Sequence, residues 1–494
     1  MISESRSNKS SKNKKSSSFT IINLALVTLF ALLALIVSFM MYSYNFLAFH
    51  HLNLIVALGL LALFIVSLLL IILKKAKLLT MIGLILANIG LAVTLFAFKS
   101  TIDFTGQMNK TASFSEVEMS VIAAKDSSIA SIQDLKSVEA PTKMDRSNIE
   151  ALLKQAKIEK KVDLETVEVD SYQKAYENLL SGSSQAMVIN SAYSSLIGQN
   201  DPDYASKVKT LYSYKVKKDI KTQEKTSNKE GVYNIYVSGI DTYGPISTVS
   251  RSDVNIIITL NMNTHKVLLT TTPRDSYLKI PDGGGNQYDK LTHAGIYGVE
   301  TSMKTLSNLY DISIDHYARI NFTSFINLTS FINLIDQLGG IEVENTRAFS
   351  ANGLDFPAGT ISLNSQQALV FVRERHALEG GDNDRGKNQE KVIAAIINKL
   401  SSIKSPSQFS AIMTGLQSSV QTNMTLDQMM AIVNTQLEDS KAFTITSQDV
   451  TGTGSTGELP SYAMPGSALY MYQLDESSVN QAKEAIKAVM EESK

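Results

Sequence analysis

Three apolar segments near the N-terminus constrain this chain more than any other feature. Phe19 to Met41, Leu52 to Leu73 and Leu78 to Phe98 each run for 21 to 23 residues without an Asp, Glu, Lys or Arg. At about 1.5 Å per residue, a helix of that length covers the roughly 30 Å hydrocarbon core of a bilayer. A soluble fold would have to bury three such helices on every side, and a cleaved signal peptide accounts only for the first. Arg6, Lys9, Lys12, Lys14 and Lys15 precede the first segment, and Lys74, Lys75 and Lys77 fill the turn between the second and third. The stretch from Tyr42 to His51 has no Lys or Arg. The positive-inside rule then predicts a multi-pass cell-membrane protein with a cytoplasmic N-terminus. Residues 1–18 form a basic, Ser-rich tail expected to be disordered, 19–98 form three spans, and everything after Phe98 lies outside.

Composition narrows the chemistry of that ectodomain. With 46 Lys and Arg against 47 Asp and Glu, the net charge of -1 argues against a surface built for nucleic acid. The absence of cysteine removes disulfides, thiol nucleophiles, iron–sulfur clusters and Cys-based zinc sites.

Alternating strand and helix patterns predict an α/β ectodomain in two parts. In residues 99–225, Val117 to Ala124, Leu164 to Val169 and Ala186 to Ile189 read as strands. Ser147 and Glu150 read as a capping box opening a helix through Ala156, and Ser171 as the cap of a helix ending near Gly182. The Lys-rich stretch from Lys215 to Lys229 reads as a connector or a solvated edge. In residues 226–400, Tyr233 to Ile240, Val254 to Met262 and Lys266 to Thr272 are β-rich. Val299 to Tyr310, Phe322 to Leu338 and Gln389 to Leu400 are helical, with a strand at Ile341 to Glu344. Residues 401–494 are taken as a C-terminal part of the same domain. The hexapeptide TSFINL occurs twice in tandem, at 323–328 and 329–334, and is expected to lengthen one helix by about 9 Å.

Charged residues cluster where strands end. Asp241, Arg251, Asp253, Arg274 and Asp275 follow or precede β runs. Arg373 and Arg375 stand in V-R-E-R-H, and Asp382, Arg385 and Gln389 in D-N-D-R-G-K-N-Q. Guanidinium forks match phosphate oxygens, so converging arginines suit a diphosphate. Carboxylates among them would repel that ligand unless a hard cation bridges the two. Surface salt bridges are the plainer reading of the same residues. No Walker loop, GxSxG elbow or HExxH occurs, and the six His have no metal-ligand spacing.

The motifs S-G-I-D, R-S-D, T-P-R-D, L-G-G-I, A-L-x-x-V-R-x-R and D-x-x-R-x-x-x-Q stand here in the order seen in the LytR–CpsA–Psr (LCP) family. Three spans followed by an accessory domain resemble its CpsA (Wzg) capsule branch. The resemblance implies an α/β/α sandwich with an apolar lipid tunnel, and helix over Ala368 to Val372 capped by Asn364, where the residues alone read as a strand. It implies Mg²⁺ (or Mn²⁺) on Asp241 and Asp253, and a diphosphate on Arg251, Arg373, Arg375, Arg385 and Gln389. Arg274 and Asp275 would stand beside the head group as catalytic residues, with Asp382 in support. Asn388 occupies a position where many members carry a second Arg. The implied function is a phosphoglycosyl ligase moving capsular polysaccharide, or a related glycopolymer, from a polyprenyl diphosphate to peptidoglycan. Its partners would be polyprenyl-linked glycopolymer, peptidoglycan, membrane lipid and other membrane proteins of capsule assembly, with no nucleic acid. The alternative is a non-catalytic membrane regulator of capsule synthesis that binds the same lipid-linked precursor.

Overall fold

The computed structural model of the protein describes residues 3–220, 229–240, 245–321, 329–374, 376–378, 382–400, 420–438 and 443–493. The described residues divide into two units, one of 3–107 and 424–438, the other of the remaining described residues.

In the first unit, α1 (Ser3–Ser43), α2 (Leu52–Ile72) and α3 (Lys77–Ala112) contain three segments long and apolar enough to cross a membrane. Without water to bond, a backbone in lipid must satisfy itself, and a helix does so within one segment. Leu35, Phe39, Leu79 and Phe96 point outward and exposed, as they can where lipid tails are the solvent. Val27, Phe30, Val37, Leu84 and Leu91 form the contact between helices. The Asn88 amide donates to the Leu26 carbonyl at 3.2 Å and the Asn23 amide to that of Lys77 at 2.9 Å, fastening α3 to α1. The basic tail is helical from Ser3 rather than disordered, because extending a nucleated helix costs far less than starting one. The helix Leu426–Glu438 belongs to this unit, where Met430 joins the apolar contact and Asn434 donates to the Asn45 carbonyl at 2.8 Å.

The second unit carries two sheets. The accessory sheet has the order β3-β2-β4-β1-β5, from β1 (Phe114–Ala124), β2 (Ser137–Ala140), β3 (Glu165–Glu168), β4 (Met187–Asn190) and β5 (Val208–Asp219). It is covered by α4 (Thr142–Lys160), α5 (Tyr172–Leu180) and α6 (Ser191–Asn200), with the short α7 (Tyr204–Lys207) leading into β5. Helix α4 opens at Thr142, ahead of the Ser147 and Glu150 pattern read as its start. Glu168 of β3 accepts from the Lys143 backbone at 3.2 Å and from the Thr142 hydroxyl, so the cap comes from a neighbouring strand. Asp145 then departs from helical geometry, and α4 runs past Ala156 to Lys160. The lysines from Lys215 onward begin as the end of edge strand β5 rather than as a connector; residues 221–228 lie outside the described residues.

The larger sheet has the order β16-β11-β6-β7-β8-β17, from β6 (Val232–Ile240), β7 (Ser252–Asn261), β8 (Lys266–Thr271), β11 (His316–Asn321), β16 (Val420–Thr422) and β17 (Thr444–Asp449). Strands β9 (Tyr277–Ile280) and β10 (Gln287–Lys290) form a side ribbon leading to α8 (Leu291–Ala294). On one face Tyr236, Ile257, Leu268 and Tyr317 pack against α9 (Val299–Tyr310) and the C-terminal helix Glu476–Glu491. Strand alternation turns Ile256 and Ile258 to the other face. Helix α10 (Thr329–Gln337) packs against α11 (Ser365–Arg373), and α11 against α12 (Asp382–Leu400), which lies on β7. Helices on both faces make this an α/β/α layer arrangement. Further pairs are β12 (Ile341–Asn345) with β15 (Gly359–Leu363), β13 (Phe349–Ala351) with β14 (Leu354–Phe356), and β18 (Gly452–Thr456) with β19 (Tyr470–Leu474). Residues 369–372 are helical, and Asn364 and Gln367 form a reciprocal capping box. The second TSFINL copy lies in α10, where Phe331, Leu334 and Ile335 are buried. The first copy, at 323–328, lies outside the described residues, as does the lengthening expected of it.

Candidate active site

Antiparallel pairing gathers the charged motifs at one edge of the larger sheet. The end of β6 lies beside the start of β7, with Ile240 opposite Ser252, and the end of β8 returns to the same edge, with Thr271 opposite Ile256. A register shift between Gly239 and Ile240 bends the strand just before Asp241. Glycine is needed at 295 for a steric reason: a Cβ there would stand 2.5 Å from the Ser250 carbonyl oxygen and 2.7 Å from the Ser252 nitrogen. Residue 295 therefore presses directly on the backbone of the R-S-D segment.

Asp253 is the pivot of the charge cluster. It is 4% exposed; its Oδ1 lies 3.1 Å from Arg274 Nη1 and accepts from the Thr292 hydroxyl at 3.0 Å. Burial pushes this carboxyl up, but Arg274, Arg251, the Thr292 hydroxyl and Arg385 together outweigh it and hold it below the ordinary carboxylate range. Asp275 is also buried, 2.9 Å from Lys290 Nζ and 3.9 Å from Arg274 Nε. Arg385 and Gln389 share α12 with i, i+4 spacing, on one face of the helix. Gln389 and Asn388 are buried, and their amides approach the carbonyls of Val372 at 3.5 Å and Phe371 at 3.3 Å. Asn388, at the position of the missing second Arg, thus helps fasten α12 to the end of α11.

The structure brings together Arg251, Asp253, Arg274, Asp275 and Arg385. Arg373 ends α11 with its side chain exposed, next to the Val372 carbonyl that Gln389 approaches. Asp241 and Arg375 lie outside the described residues; Asp382 begins α12 and its side chain is not described. Sequence reasoning missed Lys290, Thr292 and Glu390. The first two, at the end of β10 and in the short α8, belong to no motif. Glu390 follows Gln389 on α12; burial and Asp449, with a smaller push from Asp275, raise its carboxyl to about 8 against the pull of Arg274 and Lys387. Its signal was an acid two residues before the apolar run Val392–Ile393.

Among the described residues no group of three or more His, Asp or Glu is gathered for a metal. Arg274 and Thr292 both engage Oδ1 of the buried Asp253 carboxylate. One or two carboxylates suffice for Mg²⁺, which completes its shell with phosphate oxygens and water, so the donor set fits that mode. Asp289, His293 and Ser461 contain the residue types of a hydrolase triad in a different bonding order. Ser461 donates to Asp289 at 2.9 Å and His293 meets the same carboxylate at 2.8 Å. The Ser461 hydroxyl has a carboxylate as its acceptor rather than an imidazole base, so the group fastens the chain around Ser461 to α8.

The sequence model of the LytR–CpsA–Psr family matches residues 204–488. A model described as a DNA polymerase processivity factor matches residues 74–189, a span that begins before α3 and stops inside β4. Among curated relatives, the polyisoprenyl-teichoic acid–peptidoglycan teichoic acid transferase TagU of Enterococcus faecalis is 36% identical, over 50% of this chain and 78% of its own. TagU of Bacillus subtilis is 30% identical, over 58% and 87%, and that of Oceanobacillus iheyensis 28%, over 62% and 86%. The crystal structure of B. subtilis TagU is 29% identical, covering 54% of this chain and 99% of that one with a TM-score of 0.38.

Proposed function

The chain belongs to the LytR–CpsA–Psr family, and from that membership we propose that it is a membrane-anchored transferase. It moves a glycopolymer, capsular polysaccharide or a related one, from a polyprenyl diphosphate to peptidoglycan. The observation that carries the proposal is the meeting of Arg251, Arg274 and Arg385 around buried Asp253. So many cations crowd together only where carboxylates or an anion balance them. The acceptor hydroxyl attacks the sugar-linked phosphorus, the bridging P–O bond breaks, and polyprenyl phosphate leaves. Asp275, oriented by Lys290 at 2.9 Å, takes the hydroxyl proton. Arg251, Arg373, Arg375, Arg385 and Gln389 hold the diphosphate, and fixed donors aimed at its oxygens stabilise the charge that builds there. Asp241 and Asp253 would hold Mg²⁺ or Mn²⁺, which would neutralise diphosphate charge. The lipid chain runs between the Ile256 and Ile258 face of the sheet and the apolar side of α10 to α12, an aliphatic layer that suits it.

The positive charges flanking the spans favour a cytoplasmic N-terminus with the catalytic domain outside. The test is a variant series assayed separately for donor binding and for transfer. Arg385→Ala should weaken both, and Arg385→Lys should recover them only in part, because a point charge cannot reproduce the guanidinium fork. Wild-type binding and transfer in Arg385→Ala would refute the assignment.

A further inference from the structure

A cleft of about 460 Å³ opens between the start of α4 and the segments around Val249 and Tyr297. Two of its lining residues stand next to the R-S-D segment or to the glycine that packs on it. Val249, two residues before Arg251, lines it, and so does Ile296, next to the glycine that presses on the R-S-D backbone. The accessory strand β1 is bonded to the Val249 segment: Glu116 donates its backbone N–H to Ser247 and accepts from Val249, both at 2.9 Å.

The lining is polar and aromatic. Ser147, Thr301 and Asn148 offer hydroxyl and amide groups, and the hydroxyls of Tyr193 and Tyr297 meet at 3.2 Å. Two of the lining acids already have cations, Glu150 with Arg146 at 3.6 Å and Asp282 with Lys304 at 2.7 Å. Asp145 accepts from Asn148, Tyr172 and Asn190 at 2.6, 2.9 and 2.8 Å. Lys143 and Lys218, exposed and lining the cleft, make no close ion pair with any described residue, although Lys143 feels Glu168 and Lys218 feels Asp145 and Glu300 at longer range. Hydroxyl and amide donors, phenol rings and two exposed lysines are the complement of a sugar bearing a carboxylate.

We propose that this cleft binds an acidic oligosaccharide and holds it beside the transfer site. The inference deepens the transferase reading and rests on it for the source of the sugar, which is either the donor glycan or the acceptor. The binding itself does not depend on it.

The test uses the full chain in detergent micelles and titration calorimetry. The probes are a glucuronate–N-acetylglucosamine tetrasaccharide, N-acetylglucosaminyl-N-acetylmuramic acid, neutral chitotetraose and a free stem peptide. At least one acidic sugar should bind well above the neutral one. Binding of the uronate alone identifies the donor glycan, and of the muramyl sugar alone the acceptor. The double variant Lys143→Gln/Lys218→Gln should weaken binding at least about tenfold, while Lys218→Arg should retain it. Arg385→Ala should bind the sugar as the wild type does even where transfer is lost, so failure of the transferase reading is seen separately. Equal binding of acidic and neutral sugars, no binding of either acidic sugar, binding of the stem peptide alone, or an unchanged double variant would overturn the proposal.

Discussion

Substituting Gly295 by Ala tests the active-site geometry with one methyl group. The backbone there is right-handed helical, φ -63° and ψ -26°, so alanine meets no conformational penalty and gains about 1 kcal/mol of helix propensity. Any loss must therefore come from contact. The new Cβ would stand 2.5 Å from the Ser250 carbonyl oxygen, against about 3.4 Å for ordinary contact. The R-S-D segment must yield by about 0.9 Å, because both clashing atoms are backbone. A displacement near 1 Å costs on the order of 100-fold in rate, or about 2.7 kcal/mol of transition-state stabilisation. Overpacking costs roughly 1–3 kcal/mol of stability, which a melting curve would register without loss of the fold. The assay is kcat and KM for transfer from a lipid-linked donor. Gly198→Ala serves as control, since nothing lies within 4 Å of its added Cβ. A Gly295→Ala enzyme within about threefold of wild type would refute the claim that this contact positions Arg251 and Asp253.

Four further outcomes are expected. Arg274→Ala leaves Asp253 buried without its closest cation and should cost about 3–5 kcal/mol, measured as a fall in Tm. Glu390, raised from 4.5 to about 8, keeps a proton in the folded chain that the unfolded chain releases, so stability falls as pH rises through that window. Glu390→Gln should remove about 3 kcal/mol of the loss between pH 5 and 8, a Tm difference of roughly 5–10 °C; equal pH slopes would contradict it. Asn364→Ala removes a capping box and should cost about 1 kcal/mol, again read as Tm. Chelating divalent cations should abolish transfer, Mg²⁺ or Mn²⁺ should restore it, and Asp253→Asn should respond to neither.

Much of this was legible because it is local or periodic. Three charge-free runs specify three long helices, and Gly339 and Gly340, with φ of 69° and 88°, end α10 as glycines do. The charged motifs were legible because they stand at strand ends, and antiparallel pairing carries strand ends to one edge. What escaped was non-local. The first turn of α4, ahead of the kink at Asp145, takes its cap from Glu168 on another strand and had no local signal, whereas the Ser147 and Glu150 pattern falls where the helix resumes. Lys290 and Thr292 matter only because the ribbon of β9 and β10 delivers them to Asp275 and Asp253. Strand β17 pairs parallel to β8 across a long sequence separation, and nothing in its own six residues announces that partner.

The central claim is that this charge cluster transfers rather than senses. The direct measurement gives the purified full chain a polyprenyl diphosphate-linked oligosaccharide labelled in the sugar, peptidoglycan fragments and Mg²⁺, and then follows the label. Transfer requires the label to enter peptidoglycan through a phosphodiester with release of polyprenyl phosphate, and Arg385→Ala to lose most of that product. Donor bound tightly by the wild type, with no label reaching peptidoglycan, would contradict the account and make the protein a regulator.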